Sequence, residues 1–76
     1  MKELLETIAR ALVDYPDEVS VNEIESDEAI ILELRVSNED MGKVIGKQGR
    51  IAKAIRTVVK AAAIKENVRV VMEIVQ

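Results

Sequence analysis

The sequence predicts an α+β domain in the order α-β-β-α-α-β, a three-stranded sheet with three helices on one face. Three observations carry this. Apolar residues recur at helical spacing in residues 2–15 and 50–65. They alternate with neighbours of the opposite face in residues 29–36 and 67–75. All three glycines fall within residues 42–50, between two helical segments.

The first helix is KELLETIARALVDY, with Leu4, Leu5, Ile8, Leu12 and Val13 on one stripe and Ala9 and Ala11 between them. Pro16 ends it, because the residue before a proline is pushed out of the α region. VSVNEIE, residues 19–25, places Val19, Val21, Glu23 and Glu25 in alternation with Ile24 out of phase. That pattern predicts a short strand with a slip or bulge near Asn22. SDEA is a turn cluster. AIILELRV is a stronger strand, with Ile30, Leu32, Leu34 and Val36 on one face and Ile31, Glu33 and Arg35 on the other. The short turn between the strands predicts an antiparallel pair.

Ser37 is placed to cap the next helix, with Asp40 three residues on and Glu39 favouring the positive helix end. Met41, Val44 and Ile45 form its apolar side. GKQG, residues 46–49, interrupts it. A longer helix then runs from Arg50 to Lys65, with Ile51, Ile55, Val58 and Ala62 as its core stripe. Arg50, Lys53, Thr57 and Lys60 lie opposite. Ala52, Val59 and Ala63 make a flank with few long polar groups, a surface for either the first helix or a second subunit. NVRVVMEIV closes the sheet, with Val68, Val70, Met72 and Ile74 on one face.

Composition narrows the function. Seventy-six residues, 1–76, make a single domain. The chain has neither cysteine nor histidine, which removes disulfides, thiolate nucleophiles, imidazole bases and the usual zinc sites. No metal, cofactor or small-molecule substrate is called for, and an enzyme is the least expected class. Acids recur through the first twelve residues, so neither a signal peptide nor a membrane span is expected, and the domain reads as cytoplasmic. The net charge of −3 conceals a segregation. Residues 1–40 hold 12 acids and 3 bases, whereas residues 41–60 hold Lys43, Lys47, Arg50, Lys53, Arg56 and Lys60 and no acid. Because salt screens beyond roughly 8–10 Å, this local basic field can attract a polyanion to an acidic protein.

The glycine stretch GKVIGKQGR gives that polyanion a place. A glycine after one helix and a glycine before the next leave backbone N–H groups uncovered, where a phosphate can approach. An ordinary helix–helix turn has the same glycines, but it does not account for Lys43, Lys47, Arg50 and Lys53 around it. The spacing of Gly42, Gly46 and Gly49 fits neither a Walker-type loop nor a dinucleotide fingerprint. A transmembrane GxxxG pair needs an apolar host helix, and this segment is cationic.

VIGKQGR resembles the V-I-G-x-x-G signature of KH-type RNA-binding domains, whose loop clamps four backbone nucleotides. The predicted element order resembles the bacterial type II KH topology. The length, with AIRTVVKAAA after the loop, resembles the small bacterial KhpA family. The resemblance implies a single-stranded RNA site of Gly46, Lys47, Gln48 and Gly49 on the backbone, and Val44 and Ile45 on the groove floor. It places Arg50 and Lys53 beside the loop. Gly42 and Lys43 belong to the same stretch, with close approach of RNA or of a neighbouring helix as the expected reason for Gly42. A wall for the groove at Ile31, Glu33 or Arg35 is a further expectation. The resemblance also implies a role as an RNA chaperone or post-transcriptional regulator, linked in some bacteria to cell elongation and cell shape. It implies a homodimer, with Ala52, Val59 and Ala63 as the candidate interface, or a heterodimer with a Jag-type KH protein. A protein-interaction module with secondary RNA binding is the competing reading, because the acidic residues 1–40 repel RNA from much of the surface.

Overall fold

Alternation along three six-residue strands decides which side of the sheet the helices cover. The computed structural model describes residues 1–75, apart from the Lys47 side chain. Its elements are α1 (Lys2–Leu12), β1 (Ser20–Glu25), β2 (Ile30–Arg35), α2 (Asn38–Ile45), α3 (Arg50–Lys65) and β3 (Val70–Val75). Single 3-10 turns occupy Pro16–Glu18 and Lys47–Gly49. The order α-β-β-α-α-β is the predicted one.

The sheet order is β1-β2-β3, with β1 antiparallel to β2 and β2 parallel to β3. The register aligns Val21 with Leu34 and Ile74, and Leu32 with Met72. These side chains share the face that meets the helices. Leu5, Leu32 and Leu34 have no exposed surface and Ile55 has 1%. Each such side chain contributes about 1.5–3 kcal/mol by leaving water. Glu23 and Glu25 follow Val21 on the same face, but at the edge strand, where they stay exposed. Charges there discourage pairing with another chain.

The structure corrects four expectations. α1 stops at Leu12 rather than Tyr15, because Val13 is already extended (φ −108°, ψ 164°). β1 pairs without a bulge, Asn22 opposite Glu33 and Ile24 opposite Ile31. Ile24 is out of phase because it lies on the open face, in line with Ile31 and Val71. β3 begins at Val70, three residues later than expected, since Asn67 takes a left-handed turn (φ 57°) out of α3. Finally, α3 is rotated: Ala52, Ile55, Val59 and Ala63 are buried, while Val58 is 45% exposed. Val59 joins Leu5 and Ala9 of α1 in the core of this chain. Ala52, Val59 and Ala63 are 7%, 2% and 4% exposed, so in the folded chain this flank lies against its own neighbours.

Candidate nucleic-acid interface

The loop between α2 and α3 is built by backbone geometry. Gly46 caps α2 by donating its N–H to the Gly42 carbonyl at 2.8 Å. A Cβ on Gly46 would collide with that same carbonyl oxygen, so no side chain fits without breaking the cap. Gly49 donates to the Gly46 carbonyl at 2.9 Å, closing the turn. Gln48 (φ 64°, ψ 22°) and Gly49 (φ 69°, ψ 30°) are both left-handed. Two successive residues of this kind reverse the chain and deliver it to Arg50, the first residue of α3. No side chain caps the start of α3, and its first turn holds no acid. The first N–H groups of a helix lack partners within it, and the helix dipole favours an anion beside them.

The cations continue along α3. Lys53, Arg56, Thr57 and Lys60 line one shallow cleft. Arg56 and Lys60 also border a second cleft of about 270 Å³, whose other lining residues are Val59, Val70, Val71 and Met72. A row of positive charge thus faces an aliphatic wall. That wall is β3, which lies at the sheet edge beside α3. The expectation of a wall at Ile31, Glu33 or Arg35 is corrected: these residues belong to the central strand and sit on the face away from the helices. The parallel crossover through α3 places β3, not β2, at the groove. A cleft of about 410 Å³ lies at the opposite end of α3, where Glu25, Asp27 and Glu28 outnumber Arg69 in its lining. Its net negative lining disfavours phosphate.

The predicted site residues separate into groups. Gly46, Gln48, Gly49 and Arg50 form the loop, and Lys53 follows on α3; the Lys47 backbone belongs to the same turn, and its side chain lies outside the described part. Ile45 is 48% exposed next to the loop, whereas Val44 is fully buried and supports the site from within the core. Gly42 has nothing within 4 Å of where a Cβ would stand, so no neighbouring helix explains it. Lys43 turns to Asp14, with Nζ 3.3 Å from Oδ1. Sequence reasoning left Arg56, Val70, Val71 and Met72 out of the site. Arg56 carried a signal, three residues after Lys53 and four before Lys60 on one helix.

A buried carboxylate holds α2 in place. Asp40 is 1% exposed. Its carboxylate accepts the N–H groups of Asp14 (2.9 Å) and Tyr15 (3.0 Å) and the Ser37 hydroxyl (3.0 Å). Ser37 in turn accepts the Asp40 N–H at 3.1 Å, the helix cap the sequence predicts. Burial pushes the Asp40 carboxyl up, but the Asp14 and Tyr15 N–H groups, the Ser37 hydroxyl and the Lys43 charge pull it down further, below its ordinary value. Among the described residues, no group of three or more His, Cys, Asp or Glu could hold a metal ion. No helix among them is long and apolar enough to cross a membrane.

A family model described as KhpA/KhpB, KH domain matches residues 2–74. The chain is 73% identical over 75 residues to the RNA-binding protein KhpA of Clostridium acetobutylicum, covering 99% of this chain and all of that one. It is 75% identical over 75 residues to the protein of the same description from Clostridium perfringens, with the same coverage. With that from Aquifex aeolicus it shares 49% over 76 residues, all of this chain and 96% of the relative. No solved structure matches the chain. The element order and the parallel β2–β3 pair are those of a type II KH fold, and the family is not one of enzymes. With its glycine loop between α2 and α3 and its match from residue 2 to residue 74, this chain belongs to the KhpA/KhpB KH-domain family of bacteria.

Proposed function

We propose that the protein binds single-stranded RNA, with phosphates along residues 46–49 and bases over the aliphatic groove between α3 and β3. One observation carries the reading: the left-handed pair Gln48–Gly49 opens onto an uncapped helix start that is followed by Arg50, Lys53, Arg56 and Lys60. Relatives at 73% and 75% identity are described as RNA-binding proteins. The groove holds no aromatic side chain on which to stack bases, since Tyr15 is the chain's only aromatic residue. Affinity for one site is therefore modest, and a second site on a partner strengthens it. The protein then acts in the cytoplasm as an RNA chaperone or post-transcriptional regulator alongside a second KH protein, for which the paired KhpA/KhpB description offers a candidate.

The test is a titration with short single-stranded RNA over a salt series, repeated with Lys47→Asp plus Gln48→Asp. Aspartate tolerates the left-handed conformation that residue 48 adopts, so the fold is expected to survive. Binding is expected to weaken by roughly tenfold or more, with a flatter salt dependence as phosphate contacts are lost. Equal binding by two folded proteins would remove the loop from the RNA site.

A second reading, a dimerisation module, draws on a different observation. The outer side of α3 exposes Val58 (45%) and Ile64 (71%) with Ala54 and Ala61 beside them. If α3 joins two copies, this face does so, and Val58→Glu halves the mass measured by light scattering without lowering the melting temperature. A dimer that persists in this variant places the interface elsewhere.

A further inference from the structure

Lys43 stands three residues before Gly46, and residues so spaced on a helix lie about 5–6 Å apart. A lysine side chain at that position reaches a phosphate held at the loop. In the structure it does not extend there. Its ammonium pairs with the Asp14 carboxylate across a separation of 29 residues in sequence. Asp14 is not a loosely placed partner. Its backbone N–H is fixed by the buried Asp40 carboxylate, as is that of Tyr15. Asp40 is itself anchored on Ser37 at the start of α2, the same helix that carries Lys43. The Asp14 carboxylate is thus set beside the last turn of α2 by a chain of hydrogen bonds that ends in the core.

We infer that Asp14 is a positioning residue that withdraws Lys43 from the RNA-binding loop and so lowers RNA affinity. A phosphate arriving at residues 46–49 competes with Asp14 for one ammonium group. Both partners are exposed, 44% for the Lys43 side chain and 70% for that of Asp14, so the contest is between two weak interactions. The consequence is a site whose affinity stays low and whose exchange of RNA stays fast. This inference rests on the RNA reading proposed above.

The experiment compares wild type with Asp14→Asn, Lys43→Gln and the double variant, each titrated with a labelled mixed-sequence single-stranded RNA over a salt series. Asp14→Asn keeps the backbone N–H that Asp40 holds, and its melting temperature reports that the fold is intact; Asp14→Ser serves as the second variant. The released Lys43 is expected to tighten binding about threefold and steepen the salt dependence by about one phosphate contact. With Lys43→Gln already in place, removing Asp14 gives no such gain. Unchanged affinity and salt dependence in Asp14→Asn and Asp14→Ser would overturn the inference. A gain that survives in the double variant would overturn it too, since the Asp14 charge would then act on RNA directly. The aspartate substitutions at Lys47 and Gln48 test the RNA reading separately: their failure to weaken binding sinks that reading whatever Asp14 does.

Discussion

Replacing Gly46 by alanine is expected to destabilise the protein by about 2–3 kcal/mol and to abolish RNA binding. The added methyl meets the Gly42 carbonyl oxygen, which is the acceptor of the Gly46 N–H. The oxygen cannot move aside without losing that hydrogen bond, and the bond is what ends α2. Relief therefore requires the loop itself to shift, taking with it the turn closed by Gly49 N–H on the Gly46 carbonyl. A 76-residue chain has a total stability of roughly 4–11 kcal/mol, so the loss is a large share of the whole. Chemical denaturation measures the stability, and the RNA titration is run well below the lowered melting temperature. A fully stable Gly46→Ala variant with normal binding would show that the cap is dispensable.

The other two glycines should behave differently, and the contrast isolates their roles. Gly49→Ala meets open space but keeps a left-handed φ of 69°, which costs about 1–2 kcal/mol. Gly42→Ala meets open space within an ordinary helix, so it is expected to stabilise the protein by about 0.5–1 kcal/mol. A residue whose replacement improves the fold needs another reason to be glycine. If that reason is close approach of the RNA backbone, Gly42→Ala gains stability and loses RNA affinity together. Gained stability with unchanged affinity would leave Gly42 without a role at the interface.

The order of elements, the sheet pairing of β1 with β2 and the loop were legible in the sequence because each has a local cause. Alternation places Leu32 and Leu34 inward, Ser37 caps α2, and GKQG breaks the helical run. What escaped was set by packing between distant segments. VVKAAA offers α3 two apolar sides one residue apart, Val58 with Ala61 and Ala62, or Val59 with Ala62 and Ala63. Periodicity alone does not choose between them; the sheet and α1 choose Val59. The same ambiguity separates buried Val44 from exposed Ile45. The groove wall at β3 depends on the parallel pairing of β2 with β3, a contact across the whole second half of the chain. Asp40 reads locally as part of a helix cap, and only the folded chain brings Asp14 and Tyr15 to its carboxylate.

Acid should therefore act on this protein through Asp40. Its carboxyl is held below the ordinary value in the folded state, so the charged form is bound by its partners more strongly than the protonated form. A depressed carboxyl contributes stability that is complete above the unfolded pKa, about 3.9 for aspartate, and is lost as pH falls through the lower folded value. Stability measured by denaturation is expected to fall over that acidic window in the wild type. Asp40→Asn should flatten this part of the profile, and it presents one amide oxygen where the carboxylate presented two acceptors. Asp40→Ala removes every acceptor, leaves the Asp14 and Tyr15 N–H groups and the Ser37 hydroxyl without their partner, and should destabilise more than Asp40→Asn. An acid profile identical in wild type and Asp40→Asn would mean that other carboxylates carry the dependence. The loop residues at 46–49 follow α2 directly, so the Asp40→Asn variant at neutral pH also reports whether loosening the start of α2 reaches the RNA site proposed at its other end.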